Sequence, residues 1–293
     1  MRVFYYNIDY VCNNNCLFCI SHSVDKVPRE MNIEHLLSVL QKEEPQPEDF
    51  IIINGGEPTL HSKFYELINR LCEFPAVVKI YSNGVRIDAS KLENHDVEFM
   101  IPIHGTEEIH DELTRVVGSY RNTVTSLQRL QKEGIPYNLK FIISKEMINS
   151  GFHVCTFLKE YGFTPKEIFL CKMNDTQKGS LNHFLLPDEA RIKEYLNLQI
   201  AELKDDYPLK LLDIPFCYLH TEYQNLFEKN VLQEAKFFYN DDRFDMLQET
   251  YVKEKVEKTE CQTCCFYDEC QMMYESYYLL KLTPDKKLSM VLE

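Results

Sequence analysis

Apolar and polar positions along the chain switch repeatedly between two periods. Val3–Tyr10, Phe50–Ile53, Val77–Tyr81, Val97–Ile103, Asn138–Ser144 and Glu167–Met173 are short β-rich runs. Between them the spacing becomes helical. Asn32–Lys42 sets Leu36, Leu37 and Leu40 on one face, and Phe64–Glu73, Tyr120–Lys132, His153–Tyr161 and Pro187–Asp205 also read as helices. Gly134 ends the third of these, and the last opens with an acidic turn that suits the helix dipole. Six strands alternating with helices predict an α/β fold with a parallel sheet and crossover helices. An open, partial (β/α)6 barrel is the natural closure, since a full eight-fold barrel takes about 250 residues and the alternation stops near residue 205. Residues 1–205 are therefore expected to form the barrel. Residues 206–293 are charged, aromatic and cysteine-bearing, and are expected to form a separate C-terminal module.

The bulk numbers narrow the partners. With 293 residues, 44% of them hydrophobic, the chain can bury a sizeable core. A formal net charge of −14 argues against general nucleic-acid or anionic-membrane binding, which need basic surface. No apolar stretch reaches membrane-spanning length and no signal-peptide pattern opens the sequence, so a cytoplasmic location is expected. In such a compartment clustered cysteines are more often metal or redox ligands than disulfides, and there are 11 cysteines to place.

Cys12, Cys16 and Cys19 follow the first strand in the run Val11-Cys12-Asn13-Asn14-Asn15-Cys16-Leu17-Phe18-Cys19. Three thiolates can hold a [4Fe–4S] cluster and leave one iron without a protein ligand, where four cysteines are the norm. A disulfide, a zinc site or plain packing are the alternatives, although His22 lies outside the usual zinc spacing. The second strand ends in Asn54-Gly55-Gly56-Glu57-Pro58, where two glycines allow close approach to the backbone and Glu57 can accept a hydrogen bond from an ammonium.

This pair of motifs, in this order, resembles the radical S-adenosylmethionine (radical SAM) superfamily, down to Phe18 before the third cysteine. The resemblance covers roughly residues 3–205. It implies a [4Fe–4S] cluster on Cys12, Cys16 and Cys19 whose open iron chelates SAM, and reductive cleavage of SAM to a 5′-deoxyadenosyl radical that abstracts a substrate hydrogen. It implies that Gly55, Gly56, Glu57 and Pro58 bind the SAM amino group. Ser82 and Asn83 lie in a strand-end segment near the SAM methionine and ribose, and Ser144 stands where relatives often place a ribose contact. The stretches Ile109–Arg115 and Gly118–Tyr120 follow the family's pattern after strand four, but Pro102 replaces a serine that helps hold SAM in many relatives. His104 is a candidate for the same pocket.

A second cysteine group, Cys217 with Cys261, Cys264 and Cys270, suits structural zinc or a fully ligated cluster. It resembles the SPASM/twitch modules that carry an auxiliary [4Fe–4S] cluster, with Met272–Tyr278 similar to a closing helix. Cys265 and Cys171 are spare candidates. The resemblance implies modification of a ribosomally made peptide by cross-linking, epimerisation or oxidation. Oxidation of a small molecule is the alternative, since no leader-binding domain precedes the cysteine loop. It also implies a flavodoxin or ferredoxin as electron donor. A non-catalytic zinc or iron–sulfur protein is the contrasting class.

Overall fold

In the computed structural model, residues 2–19, 30–92, 97–173 and 183–224 are described, together with residue 263 and the segments 227–230, 234–239, 244–246 and 279–282. Seven parallel strands form the body: β1 (Arg2–Asn7), β2 (Phe50–Asn54), β3 (Val77–Tyr81), β4 (Val97–Ile103), β5 (Tyr137–Ile143), β6 (Ile168–Lys172) and β7 (Leu209–Leu212). Each pairs with the next in chain order. The connections carry α1 (Ile33–Glu43), α2 (Phe64–Leu71), α3 (Glu107–Thr114), α4 (Ser119–Lys132), α5 (Lys145–Asn149), α6 (Val154–Tyr161) and α7 (Glu189–Leu203). Stepping always the same way with helices outside, as right-handed crossovers require, curls the sheet into a half-barrel.

The expected strands and helices are present within a few residues, and two more parallel strands come from beyond residue 205: Leu209–Leu212 beside β6 and Glu234–Tyr239 beside β1. Leu209–Leu212 pairs in register with Ile168–Cys171. Only four residues long and set just behind a helix, it gives too little alternation to read as a strand. Short α8 (Thr221–Gln224) follows, then β8 (Phe227–Asn230), β9 (Glu234–Tyr239), β10 (Phe244–Met246) and β11 (Leu279–Leu282). The sheet order β10-β9-β1-β2-β3-β4-β5-β6-β7-β11-β8 adds two strands at each edge. Among the described residues, no helix is long and apolar enough to cross a membrane.

The helices begin where side chains satisfy their first amides. Asn32 accepts from the amides of Glu34 (2.9 Å) and His35 (3.2 Å), and Asp188 accepts from Arg191 (2.9 Å). Asp111 reaches out of α3 to accept from the amides of Gly118 (2.6 Å) and Tyr120 (2.8 Å), which starts α4 from its neighbour.

Strand alternation separates two chemistries. One face, with Phe4, Tyr6, Ile53, Ile80, Phe99, Phe141 and Leu170, joins Leu36, Leu67, Leu127 and Leu196 of the helices in a continuous apolar core. The other face lines the barrel lumen, and its N-terminal end is plugged by ion pairs. Glu98 on β4 meets Lys79 on β3 at 3.3 Å, pairs with Lys166, and accepts from Asn138 on β5 at 3.4 Å. Lys210 pairs with Glu167 beside it.

Burial acts to raise the Glu98 carboxyl, but Lys79, Lys166 and Asn138 outweigh it and hold the pKa below the usual value. The stabilisation is therefore complete above the ordinary carboxylate pKa and fades as pH falls through the lower folded value. Glu98→Gln is expected to lower the unfolding free energy by about 3 kcal/mol at neutral pH and by much less at a pH below the lowered carboxyl value. Urea titrations at the two pH values measure this.

Candidate functional site

The cysteine loop leaves β1 at the C-terminal end of the sheet and is gripped by its main chain from two sides. On the β2 side, the amide of Gly56 donates to the Asp9 carbonyl and the amide of Glu57 to the Val11 carbonyl, both at 2.7 Å. On the α3 side, Asn15 donates to the Thr114 carbonyl (3.0 Å) and Leu17 to the Leu113 carbonyl (2.9 Å). Those carbonyls belong to the last turn of α3, which ends in left-handed Arg115 (φ 59°) and so leaves them without helical partners.

The glycines of the β2 end serve this grip. A Cβ on Gly56 would lie 2.1 Å from the Val11 carbonyl oxygen, and one on Gly55, at φ 145°, would lie 2.3 Å from that of Asp9. The close approach read from the sequence is therefore made by the protein's own cysteine loop.

Glu57 is fully buried. Its Oε1 accepts from the Thr59 amide (3.2 Å), the Thr59 hydroxyl (2.6 Å) and the Ser82 hydroxyl (2.7 Å), and its Oε2 accepts from the Asn83 amide (2.7 Å). Burial pushes its pKa up, and these donors pull the other way. Three of these donors converge on Oε1 and one on Oε2, which keeps a second acceptor position. Glu57 ties the end of β2 to the end of β3. Pro58 starts the one-turn helix that follows, Pro58–Leu60.

From this tie Asn83 reaches across to the loop. Its side-chain amide donates to Asn13 Oδ1 at 2.7 Å and lies 4.0 Å from Cys12 Sγ. The Asn14 amide also points at Cys12 Sγ, at 3.4 Å. Cys12, Cys16 and Cys19 are all half-buried. Burial, with Glu57 and Cys19 nearby, pushes the Cys12 thiol up to about 11 against the pull of Asn14 and Asn83.

Beneath the loop, Phe18 packs with Leu113, Met173 and Leu185. Its ring meets His104 edge-on at 4.7 Å, and His104 stacks on His110 at 5.0 Å. Burial pushes the pKa of His104 well down and that of His110 down to about 4, so both rings are neutral. His110 and Asn14 lie on either side of the Ser119 hydroxyl, each at 3.4 Å. This polar chain, across 105 positions of sequence, escaped the sequence reading. Only the pattern Ile109–Tyr120 hinted at it.

Ser144 is buried and caps α5, accepting from the Met147 amide at 3.0 Å, so its hydroxyl serves the helix rather than an open cleft. Cys171 is buried on the lumen face. Its thiol donates to the Lys172 carbonyl at 3.3 Å, and burial pushes its pKa up to about 12. Cys217 lies exposed in the turn Phe216–Tyr218 that follows β7. Cys261, Cys264, Cys265, Cys270 and the stretch Met272–Tyr278 lie outside the described residues.

The profile of the radical SAM superfamily matches residues 6–144. The chain carries a radical SAM domain. The mycofactocin maturase MftC of Mycolicibacterium smegmatis is 27% identical over 164 residues, 54% of this chain and 42% of that protein. The chain thus spans less than half the length of this curated relative. Its fold matches anSMEcpe, solved with bound AdoMet, at a TM-score of 0.67 and 15% identity over 94% of this chain and 92% of that one. SuiB of Streptococcus suis, solved bound to precursor peptide SuiA, matches at a TM-score of 0.65 and 12% identity over 92% and 70%.

The match to this superfamily's profile implies a [4Fe–4S] cluster and SAM, and the loop suits both. Two N–H groups are aimed at Cys12 Sγ, as donors around cluster sulfurs are. Among the described residues, no three His, Cys, Asp or Glu side chains converge on a single metal ion. A cubane instead takes each thiolate at a separate corner. Beside the loop, Asn54 Oδ1 and His104 Nδ1 are shut off from solvent without a partner among the described residues, so the strand ends hold polar groups still to be satisfied.

Gly56→Ala is expected to cost about 2–4 kcal/mol, because the loop backbone must move. Gly134→Ala, with open space around its Cβ at φ 70°, should cost only about 1 kcal/mol. Denaturant midpoints of the two variants test the assignment of the glycine to the loop grip.

Proposed function

We propose that the protein is a radical SAM enzyme that modifies a ribosomally made peptide. The observation that carries this is the gripped loop, which presents three half-buried cysteines at the C-terminal end of a half-barrel. That is where β/α barrels do their chemistry. Cys12, Cys16 and Cys19 hold the cluster. When bound, the reduced cluster would supply one electron to SAM, whose cleavage to methionine would yield a 5′-deoxyadenosyl radical able to abstract a substrate hydrogen.

The chain's own residues set the stage for that chemistry. Asn14 and Asn83 place N–H groups toward Cys12 and favour its charged form. Gly55, Gly56 and Pro58 set the floor beneath the loop, and Glu57 with Ser82 fixes the Asn83 backbone. Half-exposed Asn83 is the best placed of these to touch SAM, while Ser144 keeps its helix in position at the same strand ends. Phe18, Leu113, Met173 and Leu185 close the underside of the loop with apolar surface, which keeps water from the reacting groups. The lumen below the strand ends is the space for substrate.

Several observations support a peptide substrate. The matched relative is named a maturase, and the SuiB structure holds a precursor peptide. The residues that follow β7 form an auxiliary module in this proposal, with Cys217, Cys261, Cys264 and Cys270 as the ligands of a second [4Fe–4S] cluster that would serve as an electron acceptor. The exposed position of Cys217 directly after β7 suits that assembly. A flavodoxin or ferredoxin delivers the reducing electron, and the reaction takes place in the cytoplasm.

Anaerobic reconstitution is expected to load about eight irons per chain and to yield 5′-deoxyadenosine from SAM under dithionite. A Cys12/Cys16/Cys19→Ala triple variant should retain about four irons and release none. Zinc in place of iron, or no SAM cleavage by the wild type, would reject the reading.

A further inference from the structure

The lumen holds a second polar group above the ion-pair plug, and nothing in the loop site uses it. Lys140 lies one lumen-facing step above Asn138 on β5, between Leu139 and Phe141, which face the helices. Lower down, each lumen lysine has a carboxylate beside it: Lys79 has Glu98, and Lys210 has Glu167. The register gives Lys140 no such neighbour. Pro102 stands opposite it on β4 and Phe169 on β6. Among the described residues its ammonium makes no ion pair or hydrogen bond.

Tyr81, Cys171 and Asp213 surround Lys140 closely enough to act on its charge. Asp213 follows β7 directly and is held in the left-handed region at φ 57°. Its Oδ1 is shut off from solvent and also lacks a hydrogen-bond partner among the described residues. Burial pushes its carboxyl up to about 7, so it is only part-charged at neutral pH and only partly balances Lys140. The upper lumen therefore presents one unmatched ammonium and, across from it, one unmatched carboxyl oxygen. Groups left in this state inside a protein are costly unless a ligand completes them.

We propose that Lys140 and Asp213 form a substrate subsite, in which Lys140 receives a carboxylate of the peptide and Asp213 receives an N–H of the same residue. The carboxylate belongs to an Asp or Glu side chain or to the peptide C-terminus. This rests on the reading of the lumen as the substrate chamber, and it names the residue type that enters it.

Titration calorimetry on the reconstituted, SAM-loaded full chain tests the proposal with three probes. N-acetyl-glutamate N′-methylamide carries only a side-chain carboxylate, N-acetyl-alanine only a terminal one, and N-acetyl-glutamine N′-methylamide neither. At least one of the acids should bind about tenfold or more tightly than the neutral amide, and which of them does so identifies the source of the carboxylate. Lys140→Met should abolish the preference and Lys140→Arg should keep most of it. Asp213→Ala should weaken all three probes alike.

No acid preference in the wild type, or an unchanged preference in Lys140→Met, would overturn the subsite. Should circular dichroism show Lys140→Met unfolded, reductive ¹³C-methylation of the wild-type lysines supplies a second readout. The Lys140 signal, assigned with Lys140→Arg, must then shift with the acids and stay still with the amide. Release of 5′-deoxyadenosine by the same wild-type preparation is scored separately. Acid binding without SAM cleavage would reject the radical reading and leave the subsite standing. Cleavage without acid preference would do the reverse.

Discussion

Main-chain hydrogen bonds that reach the cysteine loop from both sides are the constraint on which the rest of the site depends. One set comes from the end of β2 and requires Gly55 and Gly56, because any Cβ there would strike the loop's carbonyls. The other comes from the last turn of α3, whose carbonyls stay available because Arg115 turns the chain away. Glu57, in the same segment, extends the brace to β3 through Ser82 and Asn83. Asp111 extends it to α4 by capping that helix. Loop, two strand ends and two helices thus share one hydrogen-bonded frame around Cys12.

The lumen follows a division of labour familiar from closed barrels, with stability at the N-terminal end and chemistry at the C-terminal end. Below, the Glu98 and Glu167 pairs neutralise the lysines that the half-barrel encloses. Above, Pro102 and Phe169 deny Lys140 the same treatment. The two ends differ by which residue the register sets beside a lysine.

Much of this was legible in the sequence, and the limits have physical causes. Most strands and helices of the half-barrel announced themselves because each is long enough to show its period, but α3 and the five-residue α5 were not read as helices. Leu209–Leu212 did not, being four residues behind a long helix. The cysteine triplet and Gly55–Glu57 were legible as motifs because their chemistry depends on local spacing. What each motif residue touches was not. Glu57 bonds to Ser82 and Asn83, some 25 positions away, and Asn14 meets Ser119 at a separation of 105. Such contacts are products of the fold and leave no period in the chain.

The grip on the cysteine loop also separates what shapes the site from what acts in it. In small zinc domains the metal is the folding energy, and the polypeptide has no shape without it. Here the loop's path is written in amide-to-carbonyl bonds that involve no sulfur. The backbone thus carries the shape of the site, while the cysteine side chains carry its chemistry, and the two can be altered separately.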